Sequence, residues 1–274
     1  MKYKLFAFDL DGTLLNDKKQ ISSENQRALF EMAEQGGAVV FATGRLGSSV
    51  LRYIPQKLDD VALLILNGAE VYTGSRRGAQ RVHYAPLSSD KADFLVGYAR
   101  GRRFACNYYI DGGLYAVRDE KTEPWIDVYV GQTGSRYQFV PSFEQFAGKR
   151  PSKVIFVGDP QDIDEQEIFF RKLWGDSVYI CRTWDHYLEF LDPLANKAVG
   201  IEALAEVYQA CWPEIAAFGD AANDIPMLRK AGLGIAMANA PDEVKRAARR
   251  ISPWTNDDNG VAREWELIKR DRQG

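Results

Sequence analysis

Two aspartates separated by one residue, Asp9 and Asp11, follow an apolar run at 5–8 and precede Gly12 and Thr13. Carboxylates so placed can divide a reaction between them. One can attack as a nucleophile or hold a metal, and the other can move a proton. The run at 5–8 has the pattern of a buried parallel strand. Open α/β sheets bind their ligands beyond the carboxyl ends of such strands, and Gly12 lets the backbone turn tightly and approach one. Taken alone, the stretch equally describes a strand end with two turn aspartates.

Three further places combine a strand end or helix start with residues that can do chemistry. Thr43 and Gly44 follow the apolar run 38–42. They offer a hydroxyl and a backbone N–H to a phosphate oxygen, although a lone threonine there would serve as a helix cap. Lys197 falls near the start of a predicted helix, where the helix dipole disfavours a cation unless an anion is present; otherwise it is one more surface lysine. Asp220 opens a turn that also carries Asn223 and Asp224. It could complete, with Asp9 and Asp11, a hard oxygen site of the kind Mg²⁺ takes. Asp159 also follows an apolar strand but lacks the Asn-Asp pair, and reads as a turn or helix cap.

The elements needed to position these residues alternate at both ends of the chain. A helix is predicted after a capping box at Ser23 and Gln26, then a strand at 38–42, a helix through Val50 and Leu51, and a hairpin at 63–72 around Asn67-Gly68. The texture changes after His83. Helices at 89–100 and 162–174 and strands at 104–110, 114–117, 153–157 and 177–181 describe an α+β insertion at 84–186, with 187–191 as a final strand. The first texture then returns with a helix at 198–210, strands at 215–218 and 233–237, a helix at 241–250 and a short strand at 251–252. Residues 269–272 read as a solvated tail.

Composition narrows the class. A chain of 274 residues can bury a full core. Its net charge of −3 supplies no basic field for nucleic acid or anionic membrane. No apolar run approaches the ~20 residues of a membrane span, and Asp9 and Asp11 interrupt what could otherwise start a signal peptide. Three scattered cysteines suit reduced thiols and a cytoplasmic location. With only two histidines, His83 and His186, a multi-histidine metal site has little to draw on.

Taken together, Phe8-Asp9-Leu10-Asp11-Gly12-Thr13-Leu14, Ala42-Thr43-Gly44-Arg45, Asn67-Gly68-Ala69, Asn196-Lys197 and the run from Gly219 to Leu228 resemble the haloacid dehalogenase superfamily. The resemblance is to its Cof-like phosphatases with a type IIB cap, and it extends through Met237-Ala238-Asn239-Ala240 and the run from Asn256 to Ala262. It implies a doubly wound, mainly parallel α/β core (Rossmann-like) at 1–83 and 187–274 with an inserted α+β cap at 84–186. It also implies Mg²⁺-dependent hydrolysis of small phosphorylated metabolites. Asp9 would be the nucleophile, forming an aspartyl-phosphate, and Asp11 the general acid and base. Asp9, the Asp11 carbonyl and Asp220 would hold the metal. The Leu10 N–H, Thr43, Gly44, Lys197 and Asn223 would hold phosphoryl oxygens. Asp224 would orient Lys197, and Arg45 and Asn67 are candidates to face the cleft. Cap residues Tyr108, Tyr109, Trp125, Arg182, Trp184, Asp185 and His186 are candidates for substrate choice, although each has a plain packing or surface alternative. Sugar phosphates, pyridoxal phosphate and flavin mononucleotide are substrates the resemblance allows. A phosphomannomutase-type phosphomutase and a non-catalytic phosphoacceptor module are the alternative functions. No nucleic acid, membrane or obligate protein partner is expected.

Overall fold

The computed structural model describes residues 2–58, 60–76 and 78–271. The chain forms two compact units, Met1–His83 with Asn196–Gly274, and Tyr84–Ala195.

The first unit is built on a sheet with strands in the order Arg250–Ile251, Leu233–Ala236, Ile215–Gly219, Leu5–Phe8, Ala38–Ala42, Ala62–Ile65, Glu70–Tyr72 and Arg81–Tyr84. The first six are mutually parallel, and Glu70–Tyr72 runs antiparallel to Ala62–Ile65. Leu5–Phe8 is buried on both faces, which is why its sequence is apolar throughout rather than alternating. Leu5 and Ala7 pack toward Ile201 and Leu204 of the Lys197–Val207 helix. Phe6 points the other way and meets Trp265 of the Gly260–Arg270 helix edge-on at 5.6 Å. Helices therefore cover both faces, as a parallel sheet requires.

Register aligns the catalytically interesting ends. Phe8 lies opposite Phe218 on one side and Phe41 on the other. The residues that follow, Asp9, Asp220 and Thr43, thus emerge at the same edge of the sheet.

The first helix, Ser23–Glu34, is capped by Ser22, whose side chain accepts from the Asn25 N–H; the predicted box was one residue late. The segment after Arg45 is a single turn, Gly47–Val50, continued as 3₁₀ through Leu51–Tyr53. Lys269 and Arg270 finish the last helix instead of forming a tail, and Lys269 pairs with Glu31 at 2.7 Å. Arg272 lies outside the described residues.

The second unit has a sheet in the order Tyr179–Cys181, Tyr187–Leu191, Lys153–Val157, Ala105–Ile110, Gly113–Ala116 and Gln138–Phe139. Its pairs are antiparallel apart from the last. Ser89–Ala99 and Pro160–Trp174 cover one face over an aromatic core that includes Phe104, Phe156, Phe170 and Phe190. The return to the first unit falls at Asn196, not at 187. The reason is that Tyr187–Leu191 is hydrogen-bonded between Tyr179–Cys181 and Lys153–Val157, so it cannot join the parallel sheet.

Candidate active site

Asp9 leaves the central strand at its carboxyl end and meets Lys197 at 2.5 Å. Lys197 is fully buried, and its ammonium also bonds Asp224 at 2.5 Å. It stands at the first position of its helix, behind the Asn196 cap. The two carboxylates are the anions that make a cation tolerable at that end of the dipole. Gly68 brings the facing loop close. At φ +102°, a β-carbon there would lie 2.6 Å from the Asn196 carbonyl oxygen.

Asp220 is held from two directions. Thr13 donates its hydroxyl to Oδ1 at 2.7 Å. Gly12, at φ +81°, lies so close that a β-carbon would sit 2.3 Å from Oδ2. Only glycine satisfies both the conformation and the contact. Asp224 turns its second oxygen back to accept the Asp220 and Ala221 N–H groups, each at 3.0 Å. One side chain thus fixes both Lys197 and the loop that bears Asp220.

Carboxylate oxygens of Asp9, Asp220 and Asp224 fall within 4.8 Å of one another. Burial raises the Asp9 carboxyl well above its usual range; the neighbouring carboxylates add to this and Lys197 only partly offsets it. Burial, then Asp224, pushes Asp220 up to about 7. Burial opposes the charge on Lys197, but Asp224 and Asp9 raise its pKa, so it stays an ammonium. Three carboxyl groups thus share one cation in a buried place. That excess of hard oxygen donors and negative charge fits a divalent cation such as Mg²⁺.

Asp11 goes elsewhere. Arg45 donates to both of its carboxylate oxygens at 2.6 Å, and Lys19 donates to one of them at 2.9 Å. Burial works against its charge, yet these two cations more than offset it and hold the carboxyl at about 2. The third carboxylate of the buried cluster is therefore that of Asp224, while the Asp11 carboxylate faces its own basic pair; the ligand expected from Asp11 is its main-chain carbonyl, not this side chain. The physical reason is the turn. The strand ends at Phe8 and the Thr13 N–H bonds back to the Leu10 carbonyl, so the two aspartates do not share a face as they would on a continuing strand.

Thr43 is buried, and its oxygen accepts the Arg45 N–H at 3.1 Å; the following helix begins after Leu46, so Thr43 does not cap it. Asn67 is buried at φ +60° and accepts from the Asn223 side-chain amide at 2.9 Å. Gly44 lies beside it, where a β-carbon would be 2.9 Å from Asn67 Oδ1. The Asn223 side-chain oxygen is buried without a hydrogen-bond partner among the described residues. Leu10 is buried beside Asp9.

Sequence reasoning passed over Lys19 and Thr13, and gave no role to the two C-terminal motifs. Asn239 donates to the Gly12 carbonyl at 2.8 Å, and Asn256 to the Leu15 carbonyl at 3.0 Å. Both brace the loop that carries Asp9 and Asp11. The available signal for Asn239 was its place just beyond another parallel strand.

In the second unit, Tyr108 stacks on Phe146 at 5.1 Å in the core. Tyr109 hydrogen-bonds Tyr129. Arg182 pairs with Asp164 and donates to the Asp185 carbonyl. His186 Nδ1 lies 3.1 Å from the Gly158 carbonyl oxygen, with its ring 5.7 Å from that of Trp125. Trp184 is exposed. Asp159 accepts from the Gln161 N–H as the cap of the Pro160–Trp174 helix.

Residues 6–264 match the family profile of haloacid dehalogenase-like hydrolases. The chain is 30% identical to the 5-amino-6-(5-phospho-D-ribitylamino)uracil phosphatase YitU of Bacillus subtilis, over 94% of this chain and 95% of that protein. It is 29% identical to the HMP-PP phosphatase of Cronobacter sakazakii, over 86% and 85% respectively. A crystal structure from Thermotoga maritima superposes with a TM-score of 0.84 at 29% identity, covering 97% of each chain. With the profile spanning nearly its whole length, the chain belongs to the haloacid dehalogenase superfamily, as a Cof-like hydrolase of the phosphatase class.

Proposed function

We propose that the protein hydrolyses small phosphomonoesters through a phosphorylated Asp9, in the presence of Mg²⁺. The observation that carries this reading is the buried Asp9–Lys197–Asp224 bridge with Asp220 beside it. It joins a carboxylate nucleophile to a fixed cation and a surplus of oxygen donors at one sheet edge. Asp9, Asp220 and the Asp11 main-chain carbonyl would hold the metal. When bound, it would screen the repulsion between an anionic nucleophile and an anionic ester.

The chain's own groups do the rest. One Asp9 oxygen attacks phosphorus and the ester oxygen leaves; in the second half, water attacks the phosphoryl group and Asp9 is regenerated. Lys197, Thr43, the Leu10 and Gly44 N–H groups and the Asn223 amide hold phosphoryl oxygens and the charge that develops on them. With Arg45 and Lys19 in place Asp11 is an anion, suited to take a proton from the attacking water. To protonate the leaving alcohol it must be freed from those cations, and a substrate phosphate is an anion that competes for Arg45. Substrate choice we assign to the inserted unit.

The test is phosphate release over a panel of sugar phosphates, pyridoxal phosphate, flavin mononucleotide and p-nitrophenyl phosphate, with Mg²⁺ and with excess chelator. Release that depends on Mg²⁺ is expected, while full activity in chelator or no release from any ester would refute the reading. Within that panel, Asp11→Asn should slow alkyl phosphates by about 10²–10⁴-fold. It should slow the nitrophenyl ester less, because nitrophenolate leaves without a proton. Equal losses for both would remove Asp11 from the acid role.

A further inference from the structure

The Pro160–Trp174 helix seats Ile163, Gln166 and Phe170 on the sheet of its unit. Its outer face turns Ile168 (71% exposed), Phe169 (42%) and Leu173 (47%) to solvent. Phe94, 46% exposed on the adjacent Ser89–Ala99 helix, continues this surface. The patch is held from beneath. Phe94 meets Trp174 at 5.6 Å, and Phe169 stacks on Tyr98 at 5.4 Å. Single exposed apolar residues are ordinary, but a contiguous set across two packed helices marks an interaction surface. Because the rings are already ordered, covering them costs little further side-chain entropy.

The charges on the helix say what covers it. Arg171 is paired with Glu167 at 2.7 Å, and Asp164 with Arg182 at 2.5 Å. Glu165 and Lys172 are exposed and, among the described residues, have no ion-pair partner. They stand seven residues apart, two helical turns, with Ile168 and Phe169 between them on the same stripe. The order is acid, apolar, apolar, base. Two such helices laid antiparallel about a two-fold axis between 168 and 169 put Ile168 on Phe169 of the other copy. The same operation puts Glu165 against Lys172 of the other copy, twice. An isologous contact needs a surface complementary to itself, and this stripe has that property. We propose that the outer face of the Pro160–Trp174 helix is a self-association surface whose occupant is a second copy of this chain.

One helix pair with its flanking rings is smaller than a standard interface of roughly 800 Å² per partner, so the dimer should be a weak one. Sedimentation of the full chain from about 1 μM to about 1 mM spans the relevant dissociation range. A concentration-dependent dimer is expected. Ile168→Glu should be monomeric over that range, with its fold checked by near-ultraviolet circular dichroism. Glu165→Lys should weaken the dimer, and Lys172→Glu added to it should restore the dimer by reversing both new ion pairs. A wild type that stays monomeric throughout would overturn the proposal. So would a dimer that survives Ile168→Glu, or a double charge reversal that leaves the dimer as weak as Glu165→Lys alone.

Discussion

Asp9→Asn should abolish phosphate release, by on the order of 10⁴-fold or more, while the protein stays folded. The amide keeps an oxygen that can accept the Lys197 hydrogen bond, so the geometry around the buried ammonium is preserved. What disappears is the proposed nucleophile. Stability should not fall with activity. Asp9, Asp220 and Asp224 crowd one ammonium, and burial together with these like charges already disfavours the Asp9 carboxylate. Removing one negative charge from that group relieves repulsion. In chelator, the Asn variant should therefore melt at or above the wild type. Phosphate release and thermal melts of the same preparation check both statements. Near-normal turnover by the folded variant would exclude Asp9 as nucleophile.

Lys197→Met should be lost on both counts. The side chain is fully buried between two carboxylates, and methionine fills similar space without the charge. Breaking a buried ion pair by removing one partner typically costs about 3–5 kcal/mol, because the other charge is left uncompensated. Here two are left. Turnover should fall below detection, and inhibition by inorganic phosphate should weaken, since in the proposed reaction the ammonium faces the anion in ground and transition states alike. A second change separates the fold from the chemistry. Asp224→Asn together with Lys197→Met removes one orphaned charge and should recover part of the lost stability, while activity stays absent. Unchanged melting and unchanged phosphate inhibition in the single variant would show that Lys197 carries neither role.

Several particular elements are legible in the order of the residues. The unbroken apolar run at 5–8 reads as a strand buried on both faces, and it is one. Gly12 after the aspartates announces a turn that other residues resist, and its φ of +81° and contact with Asp220 show why. A lysine at a helix start, where the dipole opposes it, points to anions nearby, and Asp9 and Asp224 supply them. The hairpin at Asp111-Gly112, with both residues at positive φ, is written in its turn residues. In each the signal is local, carried by a short stretch of chain, while the partners that answer it at Gly12 and Lys197 come from far along the sequence.

The sequence by itself thus determined that this protein has parallel strands ending in carboxylates, a glycine-governed turn, an inserted α+β segment, and the motif order of its superfamily. The tertiary structure decided which of those groups meet. Asp11 is two residues from Asp9, yet it joins Arg45 and Lys19, while Asp224, more than two hundred residues away, completes the buried acidic cluster. The boundary of the inserted unit moved from 187 to 196 for the same kind of reason. Tyr187–Leu191, apolar except for Glu189, reads as a final strand, and only its pairing with Lys153–Val157 and Tyr179–Cys181 shows that the inserted unit runs on past it. Strand register and the direction of a side chain past a strand end are non-local quantities. They are set by partners far away in the chain, and residue type and spacing do not encode them.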